Sequence, residues 1–217
     1  MSKNKKDEIK KENLENNIFS IRIITLGNTT VGKSTLISRY VDNCFSENYL
    51  MTVGMDKKIK KVKLKNGKEI NVILFDTVGQ EKFRSLASNY IKKTDGILLV
   101  YDITEEQTFK GVKQWIEHLK EESEDFKPTI LIGNKLDLDE MRSIETEDGK
   151  KLADSCFGGI KFYETSCKTG ENVVEAIDDL VEQVYKKIKE TNPDEVSNFS
   201  LKYDNNKKNE KNKKKCC

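Results

Sequence analysis

One stretch decides the fold: IRIITLGNTTVGKS, residues 21–34. Its first half is a short, nearly continuous apolar run, which is typical of a strand buried on both faces. Its second half, Gly27-Asn28-Thr29-Thr30-Val31-Gly32-Lys33-Ser34, matches the pattern G-x-x-x-x-G-K-[ST] in full. A loop of this kind, between a strand and a helix, presents backbone N–H groups at a helix N-terminus, where they can surround an anion. We therefore expect a phosphate-binding loop.

The side chains of this loop have distinct predicted roles. Lys33 is expected to reach the terminal phosphates of a nucleotide, and the Ser34 hydroxyl to bind Mg²⁺. A glycine-containing turn with an ordinary surface lysine and serine is the alternative, which the complete pattern and its strand-to-helix context disfavour. The other residues of this segment predicted to contact the nucleotide are Thr29, Thr30, Val31, Gly32 and Thr35.

Outward from this stretch, short apolar runs alternate with segments of helical period. The further strands are predicted at 70–76, 96–103, 129–135 and 161–167, and helices at 33–42, 82–91, 106–122, 147–155 and 171–189. Such alternation predicts a parallel sheet with helices on both faces. Asn66-Gly67 is a strong hairpin signal between two further β-rich runs, so one strand is expected to be antiparallel. The predicted fold is an α/β P-loop NTPase with a six-stranded, mostly parallel sheet.

Composition limits the other possibilities. The 39 Lys+Arg and 37 Asp+Glu residues give a net charge of +2, which is too balanced for a dedicated nucleic-acid-binding protein. The longest apolar stretch, Ile97–Tyr101, is far shorter than a membrane span, and the N-terminus carries no apolar signal segment. Five cysteines without metal or disulfide spacing favour a reducing cytosol. Residues 1–17 are predicted to form a flexible leader, 18–190 one domain, and 191–217 a flexible polybasic tail.

Two further motifs follow predicted strands. Asp76 begins D-T-V-G-Q, in which Asp76 is expected to hold Mg²⁺ through water, the Gly79 amide to meet the last phosphate, and Gln80 to orient a water. Asn134-Lys135-Leu136-Asp137 follows another strand, and the Asp137 carboxylate can accept two N–H bonds that guanine offers and adenine does not. Taken alone, either motif is more often a capped turn. A third segment, Ser166-Cys167-Lys168 after the last predicted strand, is expected to supply backbone N–H groups to the base from the other side.

With these motifs in order over residues 20–190, the chain resembles the Rab branch of the Ras-like small GTPases. The resemblance implies that Phe45 stacks on guanine and that Thr52 joins Ser34 and Asp76 as a Mg²⁺ ligand in the GTP state. It also implies that Gln80 and Lys33 are the catalytic residues. The segments 45–52 and 76–90 would be the two switches, which the terminal phosphate of GTP tethers.

The terminal Cys216 and Cys217, after a lysine-rich run, resemble the Rab site for two geranylgeranyl groups. By the same resemblance the chain would cycle between the cytosol and the cytosolic face of intracellular membranes. Its partners would be exchange factors, GTPase-activating proteins, effectors, prenylation escort proteins and GDP-dissociation inhibitors, and not nucleic acid. We expect a slow, Mg²⁺-dependent GTPase that binds GTP and GDP and acts in vesicle trafficking.

Five residues depart from the usual Rab pattern, and one of them, Cys167 for alanine, is a small change because the backbone supplies the contact there. Thr30 stands for glycine and Val78 for alanine beside the phosphates, whereas Lys57 and Phe75 replace aromatic residues that commonly contact effectors, leaving Tyr90. A GTP-locked interaction module with little hydrolysis, caused by Thr30 and Val78, is therefore the alternative function. An ATP-dependent P-loop kinase or ATPase is a second alternative, which Asn134 and Asp137 argue against.

Overall fold

A computed structural model describes residues 19–46, 55–77, 84–122 and 126–193. Several sequence predictions therefore lie outside the described residues. They are the leader, nearly all of the tail, and the individual residues Thr52, Val78, Gly79, Gln80, Cys216 and Cys217.

Six strands form one sheet in the order β2-β3-β1-β4-β5-β6. Strand β2 pairs antiparallel with β3, and every other neighbouring pair is parallel. This topology confirms the predicted fold class, including the single antiparallel strand. The strands are β1 (Ser20–Leu26), β2 (Met55–Lys63), β3 (Glu69–Thr77), β4 (Gly96–Asp102), β5 (Thr129–Asn134) and β6 (Lys161–Thr165).

The helices fall close to their predicted positions. They are α1 (Lys33–Asp42), α2 (Arg84–Ile91), α3 (Glu106–Glu122), α4 (Thr146–Ser155) and α5 (Val173–Thr191). Helix α5 begins two residues later than predicted, because Gly170 and Asn172 take positive φ angles of 90° and 56° that no α-helix contains. It ends at Thr191, two residues beyond the predicted end at residue 189. A six-residue 3-10 helix, Leu136–Met141, was not predicted because so short an element has no periodic signal.

Apolar side chains form one core cluster on each face of the sheet. In β1, Ile21 and Ile23 belong to the cluster that includes α1 and α5, whereas Ile24 and Leu26 belong to the cluster that includes α3 and α4. Trp115 is 2% exposed inside the second cluster, so its side chain packs in the core. Because helices cover both faces of the sheet, a ligand can bind only at the edge where the parallel strands end.

The carboxyl ends of the five parallel strands all lie at that one edge. The loop after β1, the end of β3, and the loops after β5 and β6 carry most of the predicted site residues, whereas Phe45 follows α1. Among the described residues, no helix has both the length and the apolar character that a membrane-spanning helix needs.

Candidate nucleotide-binding site

Two glycines allow the loop between β1 and α1 to pack closely against its neighbours. At Gly27 a Cβ atom would lie 2.1 Å from the carbonyl oxygen of Val100, and φ is 149°. At Gly32 a Cβ atom would lie 2.4 Å from Nδ2 of Asn134, and φ is 94°. Both positions therefore require glycine, for space and for backbone conformation. Helix α1 begins directly after Gly32, so its free N–H groups face the loop.

The Lys33 ammonium is buried in the centre of this loop. The residue is 5% exposed, and its Nζ donates to the carbonyl oxygens of Gly27 at 3.1 Å and Asn28 at 2.7 Å. Burial lowers the pKa of Lys33 to about 8, although the negative charge of Asp76 acts in the opposite direction. A desolvated cation enclosed by loop backbone favours the approach of an anion such as a phosphate.

Asp76 lies beside this loop because two threonines tie the end of β3 to β1. Thr77 Oγ1 donates to the carbonyl oxygen of Thr25 at 2.7 Å, and Thr25 Oγ1 donates to that of Phe75 at 3.1 Å. Asp76 is 7% exposed, and its charge acts on Lys33. Ser34 is half-buried in the first turn of α1. A hydroxyl and a carboxylate are the oxygen ligands that Mg²⁺ prefers, so these two residues fit the ion.

Asn134 joins the phosphate loop to the two segments expected to bind the base. Its Nδ2 donates to the carbonyl oxygen of Val31 at 2.8 Å, and the side chain is 1% exposed. Its Oδ1 accepts from Thr165 Oγ1 at 3.1 Å and from the Cys167 thiol at 3.3 Å. Burial raises the pKa of Cys167 to about 12, so the thiol keeps the proton that it donates. One amide thus connects three motifs that lie more than 30 residues apart.

Asp137 and Ser166 meet across the site. Ser166 is fully buried and its Oγ donates to Oδ1 of Asp137 at 2.5 Å, while Asp137 itself is exposed. Lys135 has a φ of 72° and forms an ion pair with Asp102 at 2.6 Å. The Asp137 carboxylate therefore has a fixed orientation at the strand edge and still faces solvent, as a group that recognises a base must.

Arg39 holds the other side of this region. Its guanidinium donates to the carbonyl oxygens of Cys167 at 2.6 Å and Lys168 at 2.7 Å. The same group lies 5.9 Å from the ring centroid of Phe45, which is half-buried. Phe45 thus lies near the segment of Ser166, Cys167 and Lys168, as the predicted base contact requires.

The motif analysis missed the residues that brace the site. Arg39 and the pair Thr25 and Thr77 act through long-range contacts that no local spacing indicates. Arg142 likewise braces the base side, since its guanidinium makes two bonds, at 2.5 and 3.1 Å, to the Glu164 carboxylate on β6. The structure places Lys33, Ser34, Asp76, Asn134 and Asp137 at the same edge of the sheet.

Thr30 adopts the conformation that glycine normally provides. Its φ is 63°, its side chain is exposed, and Oγ1 donates to the carbonyl oxygen of Thr29 at 2.6 Å. A β-branched residue is strained at positive φ. The departure from the usual glycine is therefore a real constraint on this loop.

Comparison with known proteins agrees with this geometry. The model of the Ras family matches residues 22–186. Ras-related protein Rab-8B of Dictyostelium discoideum is 38% identical over 191 residues, which are 88% of this chain and 92% of that protein. Ras-related protein RABE1e of Arabidopsis thaliana is 38% identical over 80% of this chain and 78% of its own length. GTP-binding protein ypt2 of Schizosaccharomyces pombe is 36% identical over 92% of this chain and 96% of its own length.

These matches cover most of both partners in each comparison and span the phosphate loop, Asp76 and the base-side residues. Ras and Rab proteins hydrolyse GTP to GDP and depend on Mg²⁺. The chain therefore belongs to the Ras family and is a Rab-like small GTPase.

Proposed function

We propose that this Rab-like GTPase is a GTP/GDP switch that recruits effectors to intracellular membranes during vesicle trafficking. The single observation that carries the proposal is the Asn134 side chain, which bonds to the phosphate loop and to the base-side segment at once. A nucleotide held at both ends by such a unit has its phosphates fixed relative to its base. The family membership and the relatives' names support the same function.

Binding uses the groups already placed at the strand edge. The loop amides and Lys33 neutralise the phosphates, and Asp137, together with backbone groups near Ser166, recognises guanine. Phe45 covers the base. A Mg²⁺ ion held by Ser34, Thr52 and Asp76 would supply positive charge to the phosphate oxygens. Exclusion of ATP follows, because adenine would leave the Asp137 carboxylate without its donors.

Hydrolysis in this proposal needs positioning rather than a strong base. Gln80 orients the attacking water, and Lys33 stabilises the charge that develops on the leaving phosphate oxygens. The terminal phosphate holds the two switch segments, 45–52 and 76–90, through Thr52 and Gly79. Its loss releases them, and with them the surface on which effectors and regulators bind.

The proposed membrane anchor is a pair of geranylgeranyl groups on Cys216 and Cys217. Two lipid chains give stable attachment where one is marginal, and the nearby lysines add attraction to anionic lipid. Prenylation escort proteins and a GDP-dissociation inhibitor are the partners that such an anchor requires. With these partners, the protein would cycle between membranes and the cytosol.

A GTP-locked module remains the second candidate, because Thr30 occupies a positive-φ position at the phosphates. A side chain there restricts the loop where the attacking water must be aligned. Val78 is proposed to crowd the same region from the second switch. This candidate keeps the same binding site and differs only in the rate of hydrolysis.

We predict that Asp137→Asn weakens GTP binding at least ~100-fold and shifts preference toward xanthosine triphosphate. The amide replaces an acceptor with a donor, which inverts the pairing with the base edge. Asp154→Asn, an identical change at another exposed aspartate, is the control and should leave both affinities unchanged. Competition binding with the two nucleotides measures the affinity of each variant for GTP and for xanthosine triphosphate. Equal GTP affinity in the Asp137 and Asp154 variants would remove Asp137 from its role.

The hydrolysis rate tests the second candidate. Thr30→Gly and Val78→Ala should each raise the single-turnover rate, on the order of tenfold for ~1.4 kcal/mol of barrier. Their effects should be non-additive if both residues crowd one water. Asn43→Gly removes a similar positive-φ residue, at 50°, from the far end of α1 and should not change the rate. If neither reversion accelerates hydrolysis at constant GTP affinity, the crowding argument fails.

Removing Cys216 and Cys217 should move the protein from membranes to the cytosol without changing nucleotide affinity, because neither cysteine belongs to a nucleotide-binding motif. Fractionation of cells that express the tagged chain measures the distribution. Cys44→Ser, a change at an exposed cysteine in the domain, is the control and should stay on membranes. Membrane association of the truncated chain that resists raised salt would contradict the proposed lipid anchor.

A further inference from the structure

The free edge of the sheet carries an excess of positive charge. Seven lysines lie between residues 57 and 68, whereas the whole chain has a net charge of only +2. Two of these seven lysines form contacts within the domain. Lys58 Nζ bonds to Asp42 at 2.6 Å, and Lys60 Nζ donates to the carbonyl oxygen of Tyr40 at 2.5 Å. Both therefore hold β2 against α1.

Lys61, Lys63 and Lys65, here called the hairpin lysines, differ from these two. All three are exposed, and none forms an ion pair with any residue in the described part of the chain. Several exposed lysines on the helices are paired, as in Lys110–Glu106 at 2.9 Å and Lys150–Glu147 at 2.7 Å. The charge of the hairpin lysines is thus available to a ligand outside the domain.

The hairpin lysines lie where β1 begins and α5 ends. The Lys65 amide donates to Oε1 of Glu182 on α5 at 2.6 Å. Lys61 of β2 lies opposite Asn71 of β3, and the backbone N–H of Asn71 donates to the carbonyl oxygen of Phe19 at 2.8 Å. The Phe19 ring packs edge-on against Tyr185 of α5, with 6.1 Å between ring centroids. The hairpin turn, the start of β1 and the second half of α5 therefore form one end of the domain.

This end is remote from the nucleotide edge. Strand β1 extends from Ser20 to Leu26, and seven strand residues span ~20 Å before the phosphate loop. Helix α5 begins at Val173, on the nucleotide side of the sheet, and runs for 19 residues, ~28 Å, to Thr191. The tail that contains Cys216 and Cys217 therefore continues from the end of the domain that carries the hairpin lysines.

We propose that the hairpin lysines contact an anionic membrane surface and help to orient the domain with its nucleotide edge away from the lipid. The inference rests on the proposed anchor in the tail, which would hold this end of the domain close to a membrane. Charge complementarity with acidic headgroups supplies the attraction. An acidic protein partner, or lysines that only keep an edge strand from pairing with other chains, are the competing explanations.

The test uses the full chain loaded with GDP and carrying no lipid groups, so failure of the anchor proposal leaves it unaffected. Binding to phosphatidylserine-rich vesicles and to phosphatidylcholine vesicles is measured by co-sedimentation. Lys61→Gln, Lys63→Gln and Lys65→Gln together should lower partitioning onto the phosphatidylserine vesicles at least tenfold, since each lysine near such a surface strengthens binding about fivefold. The parent chain should bind phosphatidylcholine weakly.

The control variant replaces Lys110, Lys150 and Lys151 by glutamine, which removes the same amount of charge from α3 and α4. It should bind phosphatidylserine within about twofold of the parent chain. Arginine at positions 61, 63 and 65 should restore binding, because it keeps the charge. All variants should keep the parent's GDP affinity, which verifies folding.

Equal losses in the hairpin and control variants would overturn the proposal, because net charge alone would then explain binding. Unchanged vesicle binding in the hairpin variant would overturn it as well, and aggregation of that variant with unchanged vesicle binding would identify the lysines as edge protection. Loss of binding to an acidic protein, without any change on vesicles, would assign the surface to a protein partner instead.

Discussion

The buried ammonium of Lys33 is the constraint around which the nucleotide edge is built. A lysine with 5% exposure has lost most of its hydration, and the carbonyl oxygens of Gly27 and Asn28 replace part of it. Burial lowers the pKa of Lys33 to about 8, because desolvation disfavours the charged ammonium. A phosphate at the loop relieves that cost, so the same residue that destabilises the nucleotide-free loop favours the complex.

Close packing behind the loop keeps this lysine in place. Gly27 lies against β4 and Gly32 against Asn134, and neither position has room for a side chain. Asn134 in turn fixes the loop to the base side of the site. The phosphate loop is thereby tied to the segments for which we propose guanine recognition, so one site could hold both ends of a nucleotide.

The positions of the motifs that the structure describes could be predicted from the sequence because each motif is local and follows a strand. The turn at Asn66-Gly67 and the alternation of apolar runs likewise predicted the sheet and its one antiparallel strand. The contacts that the sequence did not predict join residues far apart in the chain. Arg39 reaches carbonyl groups more than 100 residues away, and Arg142 pairs with Glu164 across two elements. The 3-10 helix after Lys135 was also not predicted, because tertiary contacts and a positive φ, rather than periodicity, define it.

The most direct test of this account is the pH dependence of GDP affinity in the parent chain and in Lys33→Met. A phosphate should keep Lys33 protonated, whereas in the free loop its pKa is about 8, so binding above pH 8 must take up a proton. We expect the affinity of the parent chain to fall from pH 8 to 9, approaching tenfold per unit, relative to the methionine variant. Titration of the guanine base affects both proteins equally, so it cancels in the ratio of their affinities. Parallel pH profiles in the two proteins would contradict the account.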